Sequence, residues 1–208
     1  MRVVVTGAAG GIGRAILPTP VLLATGIVDD LAYATTSDLK SEGNPLYLLG
    51  SSRPELGGSL WARQRGGPPL AFPPPDPVAV RRQGEALLSW QRRGWVRSVH
   101  DVSEGGLAVT LPEMAFGGAL GFDVDLDATG LPSAALALVA EGGSRWVLEV
   151  DAAAEARLLR SSPRLPLRRL GEVVRERRGT FRVGAHDERD VVDLERLYPL
   201  WRAGPASP

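Results

Sequence analysis

The sequence predicts a layered fold of the α/β or α+β class, in which a mixed sheet is covered by helices. Short runs rich in Val, Leu and Ile alternate along the chain with longer segments whose apolar residues recur every three or four positions. The chain has 208 residues, of which 44% are hydrophobic, so it can bury one substantial core or two small ones. This mixture of strands and helices favours a layered fold over a β-sandwich or a helical bundle.

The first third of the chain predicts strands with little helix between them. Apolar runs indicate strands at Arg2–Val5, Val21–Val28 and Leu46–Leu49. Only a glycine loop and the short apolar stretch Ile12–Leu17 separate the first two. The proline-rich segment Arg65–Pro77 excludes helix and central strand, and it therefore divides the chain.

The remainder of the chain alternates between strand and helix. Asp76 and Pro77 predict the cap and first position of a helix ending near Arg93. The core-facing residues predicted on that helix are Val80, Leu87, Leu88 and Trp90. Further strands are predicted at Trp95–Val99, Gly121–Leu126, Trp146–Val150, Leu170–Val174 and Thr180–Val183, with helices at Leu107–Ala115, Leu131–Ala140, Ala152–Arg160 and Leu194–Trp201.

Composition narrows the possible partners. The 24 basic residues are balanced by 24 acidic ones, so no net field favours nucleic acid or anionic lipid, and we expect neither as a partner. The absence of cysteine excludes disulfides and thiolate chemistry, and two histidines make a zinc site difficult to assemble. With no signal peptide and no apolar run of about 18 residues, the sequence predicts a cytoplasmic protein without a membrane span.

A glycine fingerprint follows the first predicted strand. Thr6–Gly13 matches the Thr-Gly-x-x-x-Gly-x-Gly pattern of short-chain dehydrogenases, in which a pyrophosphate approaches a helix N-terminus. However, Pro18 and Pro20 would end the crossover helix well before the dozen or so residues that a parallel crossover needs. The family's Tyr-x-x-x-Lys pair is also missing, since the only lysine, Lys40, follows Thr36 at that spacing. An NAD(P)-dependent oxidoreductase is therefore the alternative, and a glycine-rich turn joined to an unrelated domain is preferred.

The most informative motif is His100–Leu107, which predicts a strand, a polar glycine turn and then a helix. The turn combines an imidazole and two carboxylates with a hydroxyl and the glycines Gly105 and Gly106. Helix N–H groups there could face a phosphate, and the carboxylates could bind Mg²⁺ or ribose hydroxyls. The simpler interpretation is a capped helix, with Ser103 or Asp101 as N-cap and Glu104 near the positive end of the helix dipole.

Five separated motifs together resemble one enzyme family. Their order and approximate spacing are similar to the C-terminal part of the phosphoribosylformylglycinamidine synthase large subunit, and the resemblance extends from about Arg14 to the end of the chain. The motifs are Gly13–Val21, Glu55–Ser59, His100–Leu107, Glu113–Phe116 and Glu141–Trp146. The resemblance implies a mixed sheet with packed helices like the C-terminal domain of aminoimidazole ribonucleotide synthetase. It also implies that residues 1–45 hold the glycine-rich start and the tail of the preceding lobe, and residues 46–208 that C-terminal-like domain.

The function implied is that of an ATP-dependent ligase of purine biosynthesis. That family converts formylglycinamide ribonucleotide and glutamine to formylglycinamidine ribonucleotide, and its catalytic histidine and main Mg²⁺ carboxylates belong to a first half that this sequence lacks. The resemblance thus implies a fragment or divergent lobe that is inactive alone, binds ATP or ADP with Mg²⁺, and partners the remaining lobes or the small and glutaminase subunits. It implies these nucleotide- or substrate-binding residues: His100, Asp101, Ser103, Glu104, Gly105, Gly106, Glu141, Ser144 and Arg145. A non-catalytic interaction module is the third hypothesis.

Overall fold

The computed structural model describes residues 4–10, 19–25, 27–28, 30–66, 76–183 and 188–204. The chain divides into two compact units, Met1–Ala34 and Thr35–Pro208. In the described part of the chain, no helix has the length and apolar character that a membrane crossing requires.

The first unit contains a hairpin where the sequence suggested a dinucleotide-binding start. Strand β1 (Val4–Gly10) pairs antiparallel with β2 (Thr19–Thr25), from Val4 opposite Thr25 to Gly10 opposite Thr19. The fingerprint glycines Gly7 and Gly10 therefore lie within a strand, and the stretch predicted as helix lies outside the described residues. A dinucleotide-binding unit needs parallel strands joined by a crossover helix. The short-chain-dehydrogenase interpretation of the N-terminus is therefore not supported.

The second unit is built on a mixed sheet of seven described strands. They lie in the order β4-β6-β3-β7-β5-β8-β9, and every neighbouring pair is antiparallel except β5 and β8, which are parallel. The strands are β3 (Pro45–Leu49), β4 (Val96–Val102), β5 (Gly121–Asp125), β6 (Arg145–Val150), β7 (Leu167–Val174), β8 (Arg178–Val183) and β9 (Glu188–Asp193).

Helices cover both faces of this sheet, which confirms the predicted layered fold. The described helices are α1 (Leu60–Arg65), α2 (Pro77–Arg92), α3 (Leu107–Gly118), α4 (Ala134–Val139), α5 (Glu155–Ser161) and α6 (Leu194–Ala203). One core packs α3, α4 and α6 against the sheet, and a second packs α2 and α5. The central strand β3 is buried throughout and alternates between them: Leu46 and Leu48 join the first core, Tyr47 and Leu49 the second.

Several local predictions needed correction. Strand β4 continues through His100 to Val102, because Val102 still pairs with Arg145 of β6. Helix α1 and strand β9 had not been predicted, although Ser59 caps α1 by accepting the Ala62 N–H at 3.1 Å. On α2, Leu88 is 56% exposed, since Leu87 and Trp90 already define the buried face.

A buried carboxylate fixes the segment that enters the sheet. Glu149 on β6 is fully buried, and its two oxygens accept four hydrogen bonds. Oε1 accepts from the Ser41 N–H at 3.0 Å and the Asn44 amide at 2.7 Å, and Oε2 accepts from the Lys40 N–H at 2.8 Å and the Ser98 hydroxyl at 3.0 Å. All four donors are neutral, so hydrogen bonds replace the water that the buried carboxylate has lost.

Candidate functional site

The predicted site residues cluster at one end of the sheet. Leu49, the last residue of β3, pairs with Trp146 of β6 and with Leu167 of β7, and Val102, the last residue of β4, pairs with Arg145. Antiparallel pairing brings the ends of β3 and β4 to the starts of β6 and β7. The turns that follow or precede these strands therefore share one edge, which we call the site end of the sheet.

The two glycines of the turn before α3 are required by packing. Both have positive φ, +82° at Gly105 and +65° at Gly106. A Cβ on Gly106 would lie 2.4 Å from the carbonyl oxygen of Leu138, and one on Gly105 would lie 2.3 Å from the side chain of Val109. The capping prediction was wrong, because the N-cap of α3 is Gly106 and no side chain caps that helix.

The N–H groups of both glycines already have acceptors within the protein. The Gly105 N–H donates to Glu141 Oε1 at 2.8 Å, and the Gly106 N–H donates to the carbonyl of Ser103 at 3.0 Å. The same Glu141 oxygen accepts the Leu60 N–H at 2.7 Å. Glu141 thus joins the first turn of α1 to the turn before α3, where its charge also opposes the positive end of each helix dipole.

The remaining polar side chains of the motif face outward. The Asp101 side chain is 63% exposed and the Glu104 side chain is 73% exposed. Glu104 is 2.5 Å from a guanidinium nitrogen of Arg63, an exposed pair that contributes little stability. Ser103 is also exposed. Asp101 Oδ1 lies 3.4 Å from His100 Nδ1. Asp101 and Ser103 are therefore exposed polar groups of this turn that are not engaged by Arg63.

His100 contacts Glu113 of α3. Its Nε2 is 3.2 Å from Glu113 Oε2, and its Nδ1 is 2.8 Å from the carbonyl oxygen of Asp101. The other oxygen of Glu113 accepts the Trp201 indole N–H at 2.8 Å. The sequence had singled out Glu113 only as part of a family motif. Its contacts link the His100 ring to the C-terminal helix, and no hydrogen bond or ion pair joins His100 to Glu141 or Arg145.

Arg145 is a buried cation without an acidic partner among the described residues. It is 1% exposed, its Nη1 donates to the Ser52 hydroxyl at 3.1 Å, and its Nη2 donates to the Ala140 carbonyl. Its Nε has no hydrogen-bond acceptor in the described part of the chain. Burial lowers the pKa of this guanidinium to about 10. The preceding residue, Ser144, is exposed and has φ +49°, an uncommon conformation for a residue other than glycine.

Within the described residues, no group of three or more His, Asp or Glu side chains could hold a metal ion. Mg²⁺ in nucleotide sites commonly keeps several waters and is bound through one or two carboxylates plus substrate phosphates. The exposed Asp101 carboxylate fits that mode. The site end therefore offers two exposed carboxylates, of which Glu104 is paired with Arg63, together with exposed hydroxyls and a buried guanidinium.

The profile of the family described as "AIR synthase related protein, C-terminal domain" matches residues 41–184. The chain belongs to this family. Phosphoribosylformylglycinamidine synthase subunit PurL of Thermoplasma acidophilum is 35% identical over 157 residues, which cover 76% of this chain and 20% of that protein. The AIR synthase-related chain thus spans about a fifth of the length of this curated relative.

Solved structures share the fold. The structure of PurLQS from Thermotoga maritima aligns with a TM-score of 0.66 and 21% identity, covering 85% of this chain and 29% of that one. T. maritima PurL complexed with ATP gives a TM-score of 0.66 and 20% identity, covering 86% of this chain and 30% of that one. These structural matches confirm the predicted mixed sheet with packed helices. The family match and the 35% sequence identity show the relationship to PurL.

Proposed function

We propose that this chain is the C-terminal lobe of a PurL-type ligase of purine biosynthesis, and that it binds ATP or ADP with Mg²⁺ at the site end of the sheet. The family membership and the 35% identity to a PurL subunit are the observations that carry this proposal. Structures of T. maritima PurL with ATP and with ADP support the choice of ligand. The ligase would convert formylglycinamide ribonucleotide and glutamine to formylglycinamidine ribonucleotide.

The proposed roles of the site residues follow from their contacts. Asp101 would supply the protein carboxylate to a nucleotide-bound Mg²⁺, and Ser103 and Ser144 would donate hydrogen bonds, because all three are exposed. Glu104 would reach the ligand only by leaving Arg63.

Other members of the set would shape the site from within. Glu141, Gly105 and Gly106 would hold the turn in its present form, because their polar groups already have partners. Arg145 would provide positive charge from below, and His100 would position the edge of the site through Glu113.

We propose that the lobe does not catalyse the reaction alone. In the part of the chain that the structure describes, no group of three or more His, Asp or Glu side chains could hold a metal ion. The remaining lobes of the synthase, or its small and glutaminase subunits, would complete the enzyme, and the PurLQS assembly of T. maritima supports such partners. A cytoplasmic location is part of the same proposal, as is the assignment of residues 1–45 to the tail of a preceding lobe.

Titration calorimetry with ADP tests the nucleotide proposal. The wild-type chain is expected to bind ADP saturably in MgCl₂ and more weakly in EDTA. Asp101→Asn should weaken binding in MgCl₂ and leave the EDTA measurement unchanged, since the lost group is the proposed metal ligand. The matched control is Asp190→Asn on β9, at the opposite edge of the sheet from β4. No heat of binding at millimolar ADP would overturn the proposal, and so would equal weakening by the two variants.

A further inference from the structure

A polar pocket lies beside the Ser51–Ser52 loop, next to the start of β7. It has a volume of about 400 Å³, and its polar side chains come from Ser51, Ser52, Thr129 and Arg168. This volume falls in the range typical of small-molecule sites. The described residues that line it include one cation and no carboxylate.

Arg168 is an exposed cation that lines the pocket. Its guanidinium lies against Gly130, where an added Cβ would be 3.7 Å from both Cζ and Nη1. The neighbouring Arg169, on the other side of the strand, is 3.5 Å from Glu155 and 3.5 Å from Glu172. Arg168 has no such ion pair with any described carboxylate. Its donors are therefore directed at the pocket without an internal partner.

The buried Arg145 adds a second positive charge beneath the pocket. Its Nη1 donates to Ser52 Oγ, so the hydroxyl proton of Ser52 remains available to another acceptor. Because Arg145 has only neutral hydrogen-bond acceptors among the described residues, its charge is not compensated within the protein. An anion on the far side of Ser52 would provide that compensation, and the interaction would be strengthened by the low local dielectric.

The loop between the two arginines is fixed by close backbone packing. A Cβ on Gly143 would lie 2.3 Å from the carbonyl oxygen of Ser51, and the Gly50 N–H donates to the carbonyl of Pro166 at 2.8 Å. The hydroxyls of Ser51 and Ser52 are thus presented on a loop braced from two sides. A braced loop binds a ligand with a smaller loss of conformational entropy than a free one.

We propose that this pocket binds the phosphate group of a small phosphate ester, with the Arg168 guanidinium and the Ser51 and Ser52 hydroxyls as donors. A planar guanidinium can give two parallel hydrogen bonds to a phosphate, and hydroxyls can reach its remaining oxygens. The volume leaves room for a sugar-sized group beyond the phosphate. None of the three donors belongs to the set assigned to the proposed nucleotide site, although the buried charge of Arg145 contributes to both proposals.

Calorimetric titration with inorganic phosphate and with ribose 5-phosphate tests the inference. The wild-type chain should bind both saturably, and the ester more tightly if the sugar also occupies the pocket. Arg168→Gln should weaken phosphate binding about tenfold or more, as expected for loss of a bidentate charge-assisted pair. Arg97→Gln is the matched control, an exposed arginine near the other end of β4. Circular dichroism would verify that both variants remain folded.

Two results would overturn the inference. One is non-saturable binding of phosphate to the wild-type chain. The other is equal weakening by Arg97→Gln and Arg168→Gln, which would indicate general attraction to positive charge. ADP titration of Arg168→Gln separates the two proposals. Unchanged ADP affinity is expected, whereas a parallel loss of ADP and phosphate binding would make the pocket part of the nucleotide site and refute a separate one.

Discussion

Replacing Glu141 by alanine should destabilise the protein by about 2–4 kcal/mol. The substitution leaves the Leu60 and Gly105 N–H groups without their shared acceptor, which lies at 2.7 and 2.8 Å in the wild type. Each unsatisfied, partly buried donor costs about 1–3 kcal/mol, and the partial exposure of this turn favours the lower half of that range. Loss of a negative charge near two helix N-termini adds a few tenths of a kcal/mol.

The Glu141→Gln variant separates the effect of the two hydrogen bonds from the effect of the negative charge. The amide oxygen of Glu141→Gln can still accept both N–H groups, so we expect a loss of only about 1 kcal/mol. Urea denaturation followed by circular dichroism gives both free energies of unfolding, and the same two substitutions at the exposed Glu176 should change them by less than about 0.5 kcal/mol. If the alanine and glutamine variants were equally stable, the proposed bridge between α1 and α3 would be refuted. Glu141→Gln should also retain ADP binding, which would further support a positioning role for Glu141. Loss of ADP binding at unchanged stability would contradict that role.

Three further predictions concern the scaffold. Glu149→Gln should lower the free energy of unfolding in urea by about 2–4 kcal/mol, because an amide cannot accept all four buried hydrogen bonds. Glu172→Gln on the exposed face of β7 should be nearly neutral. Equal effects would contradict the role of the four hydrogen bonds to Glu149. Gly106→Ala should lower the thermal unfolding midpoint, because the added Cβ would lie 2.4 Å from a carbonyl oxygen and φ is positive. Gly84→Ala in α2, where the added Cβ meets open space, should raise the midpoint. A stabilising effect of Gly106→Ala would show that the turn is not tightly packed. Burial, and next the hydrogen bond to the Glu155 carboxylate, raise the pKa of the Tyr47 hydroxyl above its usual value near 10. The stabilisation from Tyr47 is therefore complete below about pH 10 and declines above it. Tyr47→Phe should flatten the alkaline loss of stability seen in urea titrations, and an unchanged slope would contradict this.

Where periodicity and capping chemistry agreed, the sequence predicted the fold well. The Asp76-Pro77 pair marked the start of α2, and Asp76 accepts the Ala79 N–H at 2.9 Å as an N-cap should. The apolar run Leu46–Leu49 predicted strand β3, and its central position in the sheet became clear only from the strand pairing. Strand β9 was not predicted because its sequence is polar and lies at the sheet edge, where pairing with β8 supplies the order that local propensity does not.

The sequence named candidate site residues, but it did not indicate most of the contacts that the structure shows between them. The sequence indicated the motifs containing Gly105 and Glu141 separately, but it could not show that these residues, 36 positions apart, are hydrogen-bonded to each other. Ser52 and Arg168 carried no sequence signal, because their relevance arises from sheet pairing and from the buried charge of Arg145. The glycine fingerprint of the N-terminus matched a dinucleotide-binding pattern, but a short local pattern does not determine whether strands pair parallel or antiparallel.

Mapping ADP onto the protein by amide chemical-shift perturbation tests the central claim most directly. In the presence of Mg²⁺, we expect saturable shifts concentrated at residues 101–106 and 141–145, at the site end of the sheet. Shifts confined to other parts of the sheet or to the first unit, or no saturable shifts at millimolar ADP, would contradict a nucleotide site built on these turns.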